Sequence, residues 1–352
     1  MRWSSQEVFV ADASGAVDPA TAAPRSGNYE GIDAMGPIEF MTRSGTGGGL
    51  PYFWGKAPRD FTVTVTAGST TVASTTVTRQ GVDPAVSVLD EPLSAHGFVG
   101  QYWTAAGGGH THPAVMEFGG SNGGLDGQVT AGLLASHGFA TLDVAYFGEP
   151  GLPSSLSAIP LEYFATALRW LAAQPGVDAN HIYVLSASRG SEAALLLGAY
   201  YPAIVHGVVA SVPSNVALCS YPGCGGPAWT LGGRALPYTR QFNNEHPTDA
   251  PEAVIPVERI RGPVLVTCGG GDRVWMSCPF ASAIVDRLTA HGDTHTHQLF
   301  SYPDAGHGIG ALAPYEPGLS TAGRLAGTRP SANALAVAQL WPQILNFLGH
   351  AS

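Results

Sequence analysis

Charged side chains are scarce in this sequence of 352 residues, and lysine is almost absent. Asp, Glu, Lys and Arg together make up 12% of the chain, about half of the ~25% that is typical of globular proteins. The 16 basic residues include a single lysine, Lys56, and 26 acidic residues outnumber them, which gives a net charge of −10. This balance, without a cluster of basic residues, argues against a protein that binds nucleic acid.

The sequence also lacks an uninterrupted apolar run long enough to cross a membrane. The longest candidate, residues 193–212, is broken by Pro202 and His206 and is more typical of a helix followed by a buried strand. The first residues contain no apolar core of the length found in signal peptides. We therefore expect a soluble, cytoplasmic protein with no membrane partner.

Cysteine is rare, and the four cysteines form no CxxC pair. Cys219 and Cys224 could close a small disulfide loop, but we expect thiols in a reducing compartment to stay free. Cys268 ends an apolar run and is predicted to lie in the core. Two His-Thr-His segments, at residues 110–112 and 295–297, resemble metal-binding pairs, but no second ligand pair follows at the spacing of a zinc site. We expect neither a metal nor a cofactor.

Residues 1–95 are predicted to form a small β-sandwich domain. Polar and apolar residues alternate at positions 61–66 and through much of 71–78, as in half-buried strands. No helical period interrupts this stretch. The predicted strands are separated by segments rich in Gly and Pro at residues 45–51, 67–68 and 81–84.

Residues 96–352 are predicted to form an α/β domain. Short apolar runs predict strands at residues 114–118, 139–146, 181–186, 205–211, 263–268 and 297–302. Periodic segments predict helices at residues 161–173, 189–201, 279–291 and 334–348, the last kinked or split at Pro342. This alternation predicts a mostly parallel sheet covered by helices on both faces. Residues 213–260 interrupt it and are predicted to form a lid or binding wall.

The strongest chemical signal is a strand that runs into a helix through Ser188. Residues 186–190 read Ser-Ala-Ser-Arg-Gly, close to the G-x-S-x-G pattern of a nucleophile elbow, in which small residues let the strand and helix approach closely. Ser186 replaces the first Gly and is still small. The pattern predicts that Ser188 is a nucleophile at the N-terminus of a helix, where negative charge is favoured.

A base and an acid for Ser188 follow in the chain order of α/β-hydrolases. Asp272 follows the strand predicted at 263–268, and His307 follows the strand predicted at 297–302. We therefore predict a Ser188–His307–Asp272 triad, in which the acid orients the base. Asp304 is the competing acid, but it lies only three residues before His307 and is ranked second.

The Gly-rich segment 118–124 follows the first predicted α/β strand and is a candidate oxyanion hole. Backbone N–H groups of Gly120 or Ser121, together with that of Arg189, are predicted to hold the oxyanion. Aromatic side chains that could line a substrate pocket, or pack in the core instead, are Trp229, Tyr238 and Trp275.

Several longer segments carry a family resemblance. They lie at residues 29–36, 118–124, 134–140, 145–147, 255–263, 272–275 and 302–307, and they span roughly residues 5–320. In these segments the sequence resembles the acyl-CoA thioesterase and bile acid-CoA:amino acid N-acyltransferase family. The resemblance implies an N-terminal Ig-like β-sandwich followed by an α/β-hydrolase domain, and it places the nucleophile, acid and base on Ser188, Asp272 and His307.

The resemblance implies a serine hydrolase that cleaves acyl thioesters through an acyl-enzyme. The amino-acid-conjugating members of the family use Cys as nucleophile, whereas this chain has Ser, like the thioesterases. Its acidity does not favour binding of CoA phosphates, so a carrier-protein-bound acyl chain is an alternative donor. Three further functions stay open: transfer of the acyl group to an amine or alcohol, hydrolysis of a carboxylic ester or lactone, and ligand binding without catalysis on the same fold.

Overall fold

A sheet of eight strands organises the computed structural model, which describes residues 2–44, 57–106, 111–316, 324–329 and 331–350. The predicted turn at 45–51 and His110 lie outside this range. The N-terminal elements are β1 (Arg2–Ser4), β2 (Glu7–Val8), β3 (Ser26–Gly27), α1 (Gly36–Glu39), β4 (Thr42–Ser44), β5 (Arg59–Ala67), β6 (Thr70–Arg79), β7 (Val88–Glu91) and α2 (Leu93–His96).

The α/β part then follows in regular alternation. Its elements are β8 (Val99–Trp103), β9 (His112–Phe118), α3 (Gln128–Ser136), β10 (Ala140–Ala145), β11 (Ile159–Pro160), α4 (Leu161–Ala172), β12 (Val177–Ala187), α5 (Arg189–Tyr200), β13 (Gly207–Ser211), β14 (Trp229–Leu231), β15 (Arg234–Ala235), β16 (Val264–Gly269), α6 (Ser277–Ala290), β17 (His297–Tyr302) and α7 (Ala332–His350). Short 3-10 turns occur at Pro251–Ala253, Val257–Arg259 and His307–Ala311.

The central sheet has the strand order β7-β8-β10-β9-β12-β13-β16-β17. The pairs β7–β8 and β8–β10 are antiparallel, and the other neighbours run parallel. The prediction of a mostly parallel sheet is therefore confirmed, with all six predicted strands in it. Helices α4, α5 and α6 pack on one face, and α3 and α7 contribute to the core on the other, so both faces are covered.

Helix α4 illustrates how the spacing of apolar residues determines which segments become helices. Its apolar residues Leu161, Phe164, Leu168 and Leu171 recur at helical spacing and are fully buried. Burial of each such side chain stabilises the fold by roughly 1.5–3 kcal/mol. Helix α7 also follows its predicted course, but it continues through Pro342 rather than splitting there.

The N-terminal region forms three separate antiparallel pairs within its described residues. Strand β1 pairs with β4, β2 with β3, and β5 with β6. The β5–β6 hairpin buries Phe61, while Val63, Val65 and Val72 on its strands remain 41–60% exposed. These pairs support a β-rich region, and the Ig-like sandwich stays a prediction. Strand β7 already belongs to the central sheet, so the sheet recruits residues from before the predicted boundary at 95/96.

The insertion at residues 213–260 is mostly irregular and packs against helix α4. Its strand β14 pairs in parallel with β11 at the start of α4 and in antiparallel fashion with β15. The Trp229 ring at the start of β14 is 1% exposed. The insertion is therefore tied to the core of the α/β part at its centre.

The cysteines depart from the expected free thiols, because they form two disulfides. Cys219 pairs with Cys224 inside the insertion, and Cys268 pairs with Cys278. Cys268 is also buried in the core, as predicted. The sequence could not identify the second pair, because Cys268 lies on β16 and Cys278 on α6, and only their packing brings the two side chains together.

Among the helices of the described residues, none combines the length and hydropathy needed to cross a membrane.

Candidate active site

Ser188 occupies a sharp turn between β12, which ends at Ala187, and α5, which begins at Arg189. Its φ is +55° and its ψ is −129°, a strained combination for a residue with a side chain. Close packing requires Gly190, because a Cβ there would overlap the Ser186 hydroxyl and the carbonyl oxygen of Gly119. The geometry is that of a nucleophile elbow.

Ser186, which stands where many elbows have Gly, is accommodated by a hydrogen bond. Its hydroxyl donates to the carbonyl oxygen of Phe118 at 2.6 Å, and the residue is buried. The bond satisfies a polar group that would otherwise be costly to bury, and it ties β12 to the start of the Gly-rich segment.

The structure brings Ser188, His307 and Asp272 together. His307 Nε2 lies 2.9 Å from Ser188 Oγ, and His307 Nδ1 lies 2.8 Å from Asp272 Oδ2. The side chains of His307 and Asp272 are 8% and 1% exposed. A histidine held between a hydroxyl and a buried carboxylate can accept a proton from the hydroxyl while its cation is stabilised.

Two backbone N–H groups fix the second oxygen of Asp272. Val274 donates to Asp272 Oδ1 at 2.8 Å and Trp275 donates at 3.3 Å. Asp304, the competing acid, points elsewhere: its carboxylate is exposed and binds Arg329 at 3.2 Å. Of the two candidate acids, Asp272 is therefore the one in contact with His307.

Trp275 packs on the histidine. Its ring meets the His307 ring edge-to-face at 5.4 Å between centroids, and its Nε1–H donates to the carbonyl oxygen of Val212 at 3.1 Å. The residue is 5% exposed. Its position indicates that Trp275, predicted as a pocket residue, helps to hold the His307 ring.

The Gly-rich segment, predicted to form an oxyanion hole, comes close to Ser188. A Cβ added to Gly120 would lie 3.1 Å from Ser188 Cβ and 3.6 Å from the backbone nitrogen of Arg189. Ser121 is the next residue of the same turn and is half-buried. The Arg189 N–H opens helix α5, where N–H groups lack a partner within the helix. Gly120 therefore lies close to both Ser188 and the Arg189 N–H.

Tyr146 is a residue of this site that sequence reasoning missed. Its hydroxyl donates to the carbonyl oxygen of Gly119 at 3.0 Å and also contacts that of Gly120. Burial raises the pKa of Tyr146 far above its ordinary value, so the hydroxyl keeps its proton as a donor. By holding these carbonyls, Tyr146 fixes the orientation of the Gly-rich segment.

A buried ion pair joins helix α5 to the insertion. The Arg189 guanidinium binds the Glu192 carboxylate, with Nε to Oε1 at 2.5 Å, and donates to the carbonyl oxygen of Cys219 at 2.9 Å. Glu192 Oε2 accepts the N–H of Leu218 at 3.0 Å and the indole N–H of Trp229 at 2.9 Å. Burial raises the pKa of Glu192, and Arg189 opposes that rise.

The remaining pocket candidates occupy different environments. Trp229 is buried and bonded to Glu192, which favours a structural role at the base of the insertion. Tyr238 is half-buried in the same insertion. A signal for Glu192 exists in the sequence, since an acidic residue stands in an otherwise apolar helix directly after a candidate nucleophile.

Two more carboxyl groups lie behind the Gly-rich segment. Glu117 on β9 and Asp143 on β10 are partners in register on adjacent strands, and both are buried. Burial raises the pKa of Asp143 to about 8 and, together with the charge of Asp143, raises that of Glu117. The pair therefore retains a proton at neutral pH.

Within the described ranges, His, Cys, Asp and Glu side chains form no group of three or more suited to a metal ion. His295 and His297 instead share Asp293, at 2.7 and 3.5 Å.

Two solved structures that are named as hydrolases have a similar fold. A putative dienelactone hydrolase from Klebsiella pneumoniae matches 76% of this chain and 99% of its own, at 15% identity and a TM-score of 0.51. A dienelactone hydrolase-like promiscuous phosphotriesterase from metagenomic libraries matches the same shares, at 20% identity and a TM-score of 0.50. These likenesses and the sheet order define an α/β-hydrolase fold.

The sequence assigns the chain to a family within that fold. The model described as "BAAT / Acyl-CoA thioester hydrolase C terminal" matches residues 159–221 and 232–351. The model described as "Acyl-CoA thioester hydrolase/BAAT N-terminal region" matches residues 1–90. The chain belongs to the acyl-CoA thioester hydrolase/BAAT family, which confirms the resemblance found in the sequence.

Curated relatives in this family include both hydrolases and a transferase. Rat acyl-coenzyme A amino acid N-acyltransferase 2 is 33% identical over 67% of this chain, and mouse acyl-coenzyme A thioesterase 6 is 30% identical over 67%. This chain spans 59% of the length of each. Mouse peroxisomal succinyl-coenzyme A thioesterase is 26% identical over 97% of this chain and 85% of its own length.

Proposed function

We propose that this protein is a serine hydrolase that cleaves an acyl thioester, with Ser188 as the nucleophile. The observation that carries the proposal is the position of His307, between Ser188 at 2.9 Å and Asp272 at 2.8 Å. Membership of a family whose curated relatives are named for acyl-CoA substrates supports the thioester as donor.

In the first half of the reaction, Ser188 Oγ attacks the thioester carbonyl carbon. His307 Nε2 takes the hydroxyl proton and then gives it to the departing thiolate, so that an acyl-Ser188 ester and a free thiol result. Asp272 orients the imidazole and stabilises its cation. The backbone N–H groups of Arg189 and of Gly120 or Ser121 hold the oxyanion.

In the second half, water replaces the thiol. His307 takes a proton from water as the oxygen attacks the acyl-Ser188 carbonyl, and it returns that proton to Ser188 Oγ. The products are the free acid and the original enzyme. Because Ser188 forms an oxyester rather than a thioester, hydrolysis is favoured over attack by an amine.

The donor is a small acyl-thioester such as an acyl-CoA, with a carrier-protein-bound acyl chain as the alternative. The second candidate function is acyl transfer to an amine or alcohol, and the presence of an N-acyltransferase among the relatives favours it specifically. A carboxylesterase or lactonase would use the same residues. We also infer that residues 1–95 form the Ig-like domain of the family.

The proposal is tested by combining a substrate panel with covalent labelling. Acyl-thioesters, esters and lactones are offered with and without glycine or taurine, and the acid and amide products are quantified. A fluorophosphonate probe should label wild-type protein and fail to label Ser188→Ala, while Ser191→Ala, one turn along the helix, should still react. A protein that hydrolyses none of the panel and resists the probe would be a binding protein on this fold.

A further inference from the structure

The Cys268–Cys278 disulfide closes the loop that carries Asp272. Cys268 is the next-to-last residue of β16 and Cys278 is the second residue of α6. The crosslink joins residues ten apart in sequence, with 4.9 Å between their Cα atoms. Asp272 and Trp275, two of the residues in contact with His307, both lie between the linked positions. We call residues 269–277 the acid loop.

The same crosslink contacts the strand that leads to His307. Cys268 is in register with Ser301 on β17, and Cys278 Sγ lies 3.6 Å from Ser301 Oγ. Strand β17 ends at Tyr302, five residues before His307. The disulfide thus lies at the junction of the acid loop with the segment that presents the histidine.

The acid loop begins with three consecutive glycines, which need external restraint to hold one conformation. Backbone bonds supply part of it: Gly270 N–H donates to the Tyr302 carbonyl at 2.9 Å, and Gly271 N–H donates to the Ala305 carbonyl at 2.8 Å. A Cβ on Gly269 would lie 2.5 Å from the Ala305 oxygen. Because these contacts are so close, a small shift of either loop end would move Asp272 relative to His307.

We propose that the Cys268–Cys278 disulfide is a positioning crosslink for the catalytic acid, and that its reduction by a dithiol lowers turnover reversibly. This inference rests on the proposed function, since it assumes that Asp272 serves His307. It assigns Cys268 and Cys278 no contact with substrate. Their effect reaches the reaction only through the position of the acid loop.

The reductive step balances as a thiol–disulfide exchange. A thiolate of the dithiol attacks Cys278 Sγ, because Cys278 is half-buried while Cys268 is 1% exposed. The bond between the two sulfurs breaks, and Cys268 leaves as a thiolate that takes up a proton. The second thiol of the reductant then displaces Cys278, so that two protein thiols and one oxidised dithiol are formed.

The second disulfide provides a matched control. Cys219–Cys224 also joins one fully buried and one half-buried residue, over five positions in sequence. It encloses none of the three residues Ser188, Asp272 and His307. The double variants Cys268→Ala/Cys278→Ala and Cys219→Ala/Cys224→Ala therefore each remove one crosslink without leaving an unpaired thiol.

The experiment equilibrates the wild type and both variants in dithiol buffers of graded potential. The rate of fluorophosphonate labelling, kcat and KM are measured together with the number of free thiols, and the acid product is followed by chromatography. In the wild type and in Cys219→Ala/Cys224→Ala, we expect kcat and the labelling rate to fall roughly 10- to 100-fold on reduction, which is the scale of a displaced catalytic group. KM should change less than twofold, and reoxidation should restore the rate.

Cys268→Ala/Cys278→Ala should be slow from the start and insensitive to the buffer. If wild type with four titrated thiols labels within twofold of the oxidised rate, or if the loss follows Cys219–Cys224 instead, the crosslink inference is overturned. If the oxidised protein does not label at Ser188 at all, the proposed function itself fails. The wild-type titration needs no substitution, so a variant that failed to fold would leave this result decisive.

Discussion

Buried carboxyl groups lie on both sides of Ser188 in the central sheet, and the two sides give them different partners. On the β16–β17 side, Asp272 has a histidine and two backbone N–H groups as partners. On the β9–β10 side, Glu117 and Asp143 are neighbours in register, and the charge of Asp143 adds to burial in raising the pKa of Glu117. The comparison teaches that burial alone does not make a carboxyl group a catalytic acid. The surroundings differ: Asp272 contacts His307, whereas burial raises the pKa values of Glu117 and Asp143.

Ser188 lies between the two sides of the sheet, and Ser188→Ala should have the largest effect on kcat. Removal of the nucleophile should lower kcat by at least 10³-fold and by as much as roughly 10⁶-fold, because histidine and acid then have no group to activate. Steady-state kinetics with an acyl-thioester measures this, and circular dichroism checks that the fold is intact. Near-normal turnover would remove the basis for all three assignments.

Asp272→Asn tests the β16–β17 side, where Asp272 contacts His307. The amide cannot stabilise the imidazole cation or hold the same tautomer, so kcat should fall roughly 10³- to 10⁴-fold. Asp304→Asn is the matched control: it lies in the same segment as His307 but binds Arg329, and it should change kcat less than threefold. The reverse ranking would make Asp304 the acid and would break the contrast between the two sides.

Asp143→Asn tests the Glu117–Asp143 side through the free energy of unfolding. Burial raises the pKa of Asp143 to about 8 in the folded protein, above about 3.9 for an unfolded Asp. The folded state therefore binds the extra proton, and its stability falls as pH rises from about 4 to 8. Asn mimics the protonated form, so the variant should gain on the order of 1 kcal/mol or more over wild type between pH 5 and 8.

Denaturant unfolding at both pH values measures that difference. Asp286→Asn, at an exposed position on α6, is the control and should track the wild type at each pH. A constant offset between Asp143→Asn and wild type would mean that the pair has a cationic partner after all, and that the two sides are more alike than the structure indicates.

Ser188→Cys should have the smallest effect and concerns product choice. A thioester intermediate loses less resonance stabilisation on attack, and amines exploit this more than water does. We expect lower total turnover but a severalfold higher ratio of amide to acid at fixed amine concentration. If the wild type already forms mostly amide, acyl transfer replaces hydrolysis as the function. An unchanged ratio would direct attention to the insertion at 213–260 instead.

The sequence predicted the contacts around Asp272, at β16–β17, better than the pairing of Glu117 with Asp143 at β9–β10. Ser188, Asp272 and His307 each follow a predicted strand in a known chain order, so their meeting could be anticipated. The short strands β7 and β8 escaped detection, since Asp90, Glu91 and Gln101 disturb their apolar pattern. Helix α3 contains Gly132, a poor helix former, which is required because a Cβ there would lie 2.7 Å from Val82.

The contacts that sequence reasoning missed all depend on tertiary packing. Glu117 and Asp143 are 26 residues apart in the chain and become neighbours only through strand register. The edge-to-face contact of Trp275 with His307 and the bond of Tyr146 to Gly119 join loops from different strands. Periodicity within one segment carries no information about such pairs, whereas the strand–loop–residue order that revealed Asp272 is local.

The bond between His307 and Ser188 joins residues 119 positions apart, and β17, which leads to the histidine, is one of the two edge strands of the central sheet. Contacts of such long range form slowly, because the chain must close a large loop before they stabilise anything. During synthesis the elbow strand leaves the ribosome well before the edge strand does. Recovery of Ser188 reactivity after dilution from denaturant should accordingly lag behind the recovery of secondary structure. The rate at which Ser188 regains reactivity would then report when strand β17 docks onto the sheet.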